Sequence, residues 1–149
     1  MRRLILSLLF LAMAAASCGA VEEPVSVLKE RAQKAPPEVC VQLCIQIAQQ
    51  QLRRADKFYN EGNAEQARAA VDDIVTYSEK ARDSAIQTRK RLKNVEIDVR
   101  KMAERLRDIK RTLAFEDQPP VDQAIRRLED VRTVLLKEMF SNKKEQGKQ

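Results

Sequence analysis

The chain has 149 residues, of which 44% are hydrophobic, 34% charged and only 4% aromatic, with three glycines, no tryptophan and a formal charge of +6. This is poor material for a compact α/β core and ordinary material for long helices, which draw on Ala, Leu, Glu, Lys, Arg and Gln. Histidine is absent, which withdraws the commonest general acid or base and the commonest metal ligand, so the expectation is a non-enzyme with no metal and no cofactor.

Arg2 and Arg3 are followed by an uncharged apolar run from Leu4 to Ala16, with small residues from Ala14 to Ser17 leading into Cys18. That order makes residues 1–17 a secretory signal peptide, too short to span a bilayer comfortably. The ending Ala15-Ala16-Ser17-Cys18 resembles the lipobox of bacterial lipoproteins, with Ala15 standing where that family most often has Leu. The resemblance implies that Cys18 becomes the acylated first residue of the mature chain. Gly19 in place of Asp resembles the class sorted to the outer membrane, facing the periplasm. Ordinary cleavage near Ala16 or Ala20, leaving a soluble exported protein, is the other reading. Removing residues 1–17 leaves 132, one domain on the usual scale of about 100–200. It also takes Arg2 and Arg3, so that +6 falls to +4.

Residues 18–36 read as a lipidated tether. Beyond Pro24, Val25, Leu28, Ala32 and Ala35 fall at 3-4-3 spacing, which fits either a short amphipathic helix ahead of Pro36-Pro37 or a loosely ordered spacer.

A helical domain is expected over 37–140. Its first helix spans about Pro37 to Asn60, with Val41, Ile45, Ala48, Leu52, Ala55 and Tyr59 on one stripe. No charge occurs from Val39 to Leu52. Val39, Cys40, Leu43, Cys44 and Ile47 widen the apolar surface and leave a strip of Gln42, Gln46, Gln49 and Gln50. Such a helix is buried on more than one side, within the domain or against a second copy in a homodimer.

Gly62 and Asn63 break the pattern. Gly62 suits the left-handed position after a helix, and Asn63 with Gln66 has the form of a capping box. Residues 51–74 resemble a single tetratricopeptide-type helical hairpin, through Ala55, Phe58, Gly62 and Ala67. They depart from that family at Ile74, where a small residue is usual, and no second copy follows. Such repeats need about three copies to build a stacked groove, so the family's peptide-binding surface is not implied here.

No Gly or Pro then occurs until Pro119. Ala67, Ala70, Ile74, Tyr77, Ala81, Ala85, Thr88, Leu92, Val95, Val99, Met102, Leu106, Ile109 and Leu113 follow a heptad rhythm with one stutter at Ala81–Ala85. The pattern predicts one spine over about 64–116, roughly 80 Å long, small-sided before Ala85 and aliphatic after Leu92. Gln118-Pro119-Pro120 ends it and opens a third helix, about Val121 to Phe140, on Val121, Ala124, Leu128, Val131 and Leu135. Residues 141–149 have no apolar side chain and are expected to be a disordered tail. The fold class is therefore all-α: a long central helix with antiparallel flanking helices, hairpin or coiled-coil-like. The first helix is expected on the small-sided half and the third on the aliphatic half. The alternative is a compact three-helix bundle, which requires the spine to break near the stutter.

Three groups of residues carry chemistry. Cys18 is the lipidation residue. Cys40 and Cys44 make an even number once Cys18 is lipidated. Three readings stay open for them: buried free thiols, bonds to a second chain, or an intrahelical disulfide that distorts its turn, since β-carbons at this spacing lie about 5–6 Å apart against about 3.8 Å in a relaxed disulfide. The third group is the cationic run Arg89, Lys90, Arg91, Lys93, Arg100, Lys101, Arg105, Arg107, Lys110 and Arg111. With only four acidic residues between Arg89 and Arg111, it reads as a solvated flank or as a surface for an anionic partner. Glu96 with Arg100 and Asp98 with Lys101 are the helical pairs expected there. Nucleic acid is a poor partner, because no aromatic occurs from Ser78 to Ala114 for base stacking.

The function expected is an exported cell-envelope lipoprotein, a non-catalytic helical spacer or protein-interaction module. Its partners would be the membrane, through the N-terminal lipid, and an envelope protein or anionic envelope component. A basic periplasmic holdase-type chaperone is the alternative.

Overall fold

The computed structural model describes residues 22–146, with side chains through Ser141. The expected signal peptide, Cys18 and residues 147–149 of the expected tail lie outside the described residues. Those described form five α-helices: α1 (Val25–Lys34), α2 (Pro37–Asn60), α3 (Ala64–Thr88), α4 (Leu92–Thr112) and α5 (Gln118–Gln146), the last preceded by a 3-10 turn at Phe115–Asp117. The class is all-α.

The stripes read from the sequence are the core. Val41, Ile45, Ala48 and Ala55 of α2, Ala67 to Ala85 of α3, Leu92 to Ile109 of α4 and Val121 to Leu135 of α5 are buried at the stripe positions. Leu52, Tyr59 and Leu113 are partly buried against them. Val39 departs from expectation and is 48% exposed, because it lies in the first turn, at the open end of the bundle. The glutamine strip is less solvated than its polarity suggests: Gln50 is buried and donates to the Glu23 carbonyl at 2.9 Å. Residues leading into α1 cover it.

The expected spine is two helices. Arg89 and Arg91 both take left-handed backbone conformations, with φ 54° and 62°, and turn the chain between α3 and α4. Neither glycine nor proline marks the place. Two side-chain effects help end α3: the Thr88 hydroxyl donates to the Ser84 carbonyl at 2.9 Å, and Lys90 donates to Glu38 at the start of α2 at 2.8 Å. The left-handed conformation costs roughly 1–2 kcal/mol per residue. Folding back offsets it, because the aliphatic stripe of α4 is thereby buried between α2 and α5 instead of projecting alone.

Ion pairs fix the topology. α2 and α3 are antiparallel, joined at Gly62 (φ 76°). There the Asn63 N–H bonds to the Phe58 carbonyl at 2.8 Å and the Gly62 N–H to that of Tyr59 at 3.1 Å, the paired bonds of a Schellman end. Asn63 makes no side-chain cap bond, so the expected capping box does not form. Arg105 of α4 reaches Asp56 of α2 at 2.7 Å, which sets α4 parallel to α2. Lys110–Asp122 at 2.6 Å and Arg107–Glu129 at 2.5 Å hold α5 antiparallel to α4, while Arg68–Asp117 and Arg127–Glu79, both at 2.9 Å, set it parallel to α3. The result is an up-down-up-down bundle of α2 to α5, with α2 on the small-sided half and α5 on the aliphatic half.

Residues 25–34, within the expected tether, are helical. α1 lies against α2 through Leu28 and Ala32, and Lys29 reaches Asp73 of α3 at 2.5 Å. At the other end of the chain α5 continues to Gln146, past the Phe140 end expected for it. Ser141 to Gln146 contain no Gly or Pro, and Lys, Glu and Gln are good helix formers.

Candidate functional site

The turn between α3 and α4 gathers the first part of the cationic run. Arg89, Lys90, Arg91 and Lys93 are all exposed at one pole of the bundle. Lys90 pairs with Glu38 at 2.8 Å; the hydrogen bond from Lys90, then its charge, hold the Glu38 carboxyl below its ordinary range. Antiparallel packing brings the end of α5 to the same pole. Phe140, 63% exposed, and Val39 at 48% are exposed large hydrophobics at this end of the bundle.

The rest of the run divides between clamps and solvent. Arg105, Arg107 and Lys110 are spent on Asp56, Glu129 and Asp122 of neighbouring helices, and Arg111 pairs with Asp108 of its own helix at 3.0 Å. Arg91, Lys93, Arg100 and Lys101 are exposed and form no ion pair among the described residues. Lys93, Arg100 and Lys101 share the outer face of α4, being seven and eight positions apart.

The two expected helical pairs do not form. Glu96 is 9% exposed and turns inward, where Arg132 of α5 meets it at 2.9 Å. Arg132 also holds Glu129 at 2.7 Å, and Glu129 holds Arg107. This four-residue chain joins α4 to α5. Burial alone would raise the Glu129 carboxyl, but hydrogen bonds and charge from Arg107 and Arg132 outweigh it and hold it below its ordinary value. Asp98 makes no ion pair among the described residues; burial raises its carboxyl, and the charge of Lys101 offsets only part of that. Sequence spacing finds neighbours on one helix and misses partners on another, and a basic position at Arg132 among the apolar steps of α5 carries no signal of Glu96.

The thiols lie together. Cys40 and Cys44 are free, half-buried and buried respectively, with their sulfurs 3.1 Å apart. Burial pushes the Cys44 thiol up, the hydrogen bond and charge of Cys40 add to that, and Lys80 pulls the other way. Among the described residues no group of three or more Cys, Asp or Glu side chains is placed to hold a metal, and no helix is long and apolar enough to cross a membrane. Comparison with protein-family models, with curated proteins and with solved structures finds no match.

Proposed function

We propose that this chain is an exported, lipid-anchored helical module of a bacterial cell envelope, non-catalytic, which presents the cationic pole at Arg89–Lys93 to an anionic envelope partner. One observation carries the reading: the chain enters the fold far from that pole. Glu22 and Glu23 lie beside Arg53 and Gln50, and the thirteen steps from Pro37 to Gln50 span about 20 Å of helix. α1 makes this possible by running back along α2 from the Pro36 corner. Three residues separate Cys18 from Glu22, and the four Cα–Cα steps reach at most about 14 Å, so an acyl group on Cys18 would hold the Gly62 end towards the leaflet and leave the Arg89 end free. The unpaired cations Arg91, Lys93, Arg100 and Lys101 would then attract anionic groups without first giving up an ion pair.

Cell fractionation and acyl labelling of wild type and Cys18→Ala test the anchor. Wild type is expected in the membrane fraction with incorporated palmitate, and the variant is expected in the soluble fraction without it. Unchanged membrane attachment of Cys18→Ala would overturn the lipoprotein reading. Suppression of aggregation of unrelated unfolded proteins by the purified domain would instead mark the holdase alternative.

A further inference from the structure

Pro36-Pro37 starts α2 and sets Cys40 in its first turn, one helical turn before Cys44. Their sulfurs are 3.1 Å apart and unbonded. A disulfide needs about 2.05 Å, so an approach of about 1 Å would join them. The backbone that must give is a single turn at a helix end, where the N–H groups of Val39 and Cys40 both lean on the Pro36 carbonyl at 3.0 and 2.9 Å. Beyond that turn α2 is locked by buried Leu43, Ile45 and Ile47. A two-coordinate thiophilic metal fits less well. Metal–sulfur bonds of about 2.3 Å on opposite sides of an ion set the sulfurs roughly 4.6 Å apart, and no third ligand is in place among the described residues.

We propose that Cys40 and Cys44 are a reversible dithiol–disulfide site, closed within one helix by exchange with an accessible disulfide. Cys40 is half-buried while Cys44 is fully buried, so Cys40 is the entry point. As thiolate, Cys40 attacks one sulfur of the incoming disulfide; that S–S bond breaks, one thiolate leaves and is protonated, and a mixed disulfide forms on Cys40. Cys44 then loses its proton and attacks the Cys40 sulfur, and the second thiolate leaves and is protonated. Two cysteine thiols have lost two electrons and two protons, and the disulfide has become two thiols. The first step prepares the second. Burial still opposes ionisation of Cys44, but once Cys40 is bonded its charge no longer adds to that, while Lys80 still favours the thiolate. Strain in the joined turn makes the bond easily reduced again.

The test equilibrates the full chain with mixtures of reduced and oxidised glutathione, quenches by alkylation and digests with trypsin. Peptide 35–53 holds both cysteines and excludes Cys18. It is expected two hydrogens lighter and unalkylated, in a proportion that rises with oxidised glutathione and returns to zero after dithiothreitol. Cys44→Ser is expected to trap a glutathione adduct on Cys40. Should serine unfold the turn, Cys44→Ala, which keeps the site apolar, is expected to trap the same adduct. A doubly alkylated peptide across the whole series, a lasting glutathione adduct in wild type, or linkage of this peptide to a second chain would each overturn the proposal.

Discussion

Arg132 on α5 donates from Nε to Glu96 on α4 at 2.9 Å across thirty-six residues of sequence. Glu96 was placed by helical spacing to meet Arg100 on the solvent side. The bundle turns it inward instead, because α4 packs mainly against α5 and Glu96 lies at the edge of that contact. A charge at the edge of an apolar stripe then needs a partner from the facing helix.

Removing that partner is the first prediction. Arg132→Ala leaves Glu96 nearly buried with no counter-charge, and a loss of about 2–3 kcal/mol is expected in chemical denaturation. Glu96→Gln paired with Arg132→Met is expected to recover most of it. Equal stability of Arg132→Ala and wild type would show that the pair does not form.

Acid should act through Glu129. Its carboxyl is held below the ordinary value of 4.5, so its contribution is fully present above the unfolded value and is lost as pH falls through the lower folded one. Glu129→Gln is expected to flatten the fall in melting temperature below about pH 4.5 while wild type keeps it. Identical acid limbs would remove this network from the account.

Asp98 has the opposite sign. Burial raises its carboxyl, so the folded state disfavours the charged form and stability is lost as pH rises through the folded value. Asp98→Asn is expected to melt slightly higher than wild type at neutral pH, with the difference vanishing in acid. A lower melting temperature would mean that the charge has a partner.

The break in the spine gives a prediction in which the sign alone decides. Arg91 is left-handed, φ 62°, and glycine carries no penalty there, so Arg91→Gly is expected to gain about 0.5–1 kcal/mol. In an unbroken helix over 64–116 the same change would lose about 1 kcal/mol. Thermal melts separate the two.

Most of the core was legible from side-chain spacing alone, since period and burial are tied by helix geometry: Val95, Val99, Met102 and Leu106 are all buried where the stripe put them. The turn at Arg89–Arg91 was not. Arg, Lys and Arg are good helix formers, and nothing local forbids the helix from continuing; the gain lies in burying Leu92 and its successors against helices distant in sequence. The stutter at Ala81–Ala85 pointed to the region, a few residues early. The cationic run was legible as a run but not as a site. Which of its members are clamps, as Arg105, Arg107 and Lys110 are, depends on acids at Asp56, Glu129 and Asp122 that only packing brings near. The contact between Cys40 and Cys44 was within reach of the i,i+4 rule, which put their β-carbons on one face but could not say that the sulfurs turn towards each other.

The direct test of the proposed anchored interaction module is charge reversal of Arg91, Lys93, Arg100 and Lys101 to Glu together, read by envelope pull-down over a salt series beside circular dichroism melts. These four sites make no ion pair among the described residues, so melting within a few degrees of wild type is expected, with each surface change worth about 0.5 kcal/mol or less. Wild type is expected to retain an envelope partner with affinity that weakens as salt rises, and the reversed protein to lose it, most completely at low ionic strength. Partner capture that is undiminished by the reversal, or independent of salt in wild type, would contradict the claim that the pole and the adjoining outer face of α4 bind an anionic component.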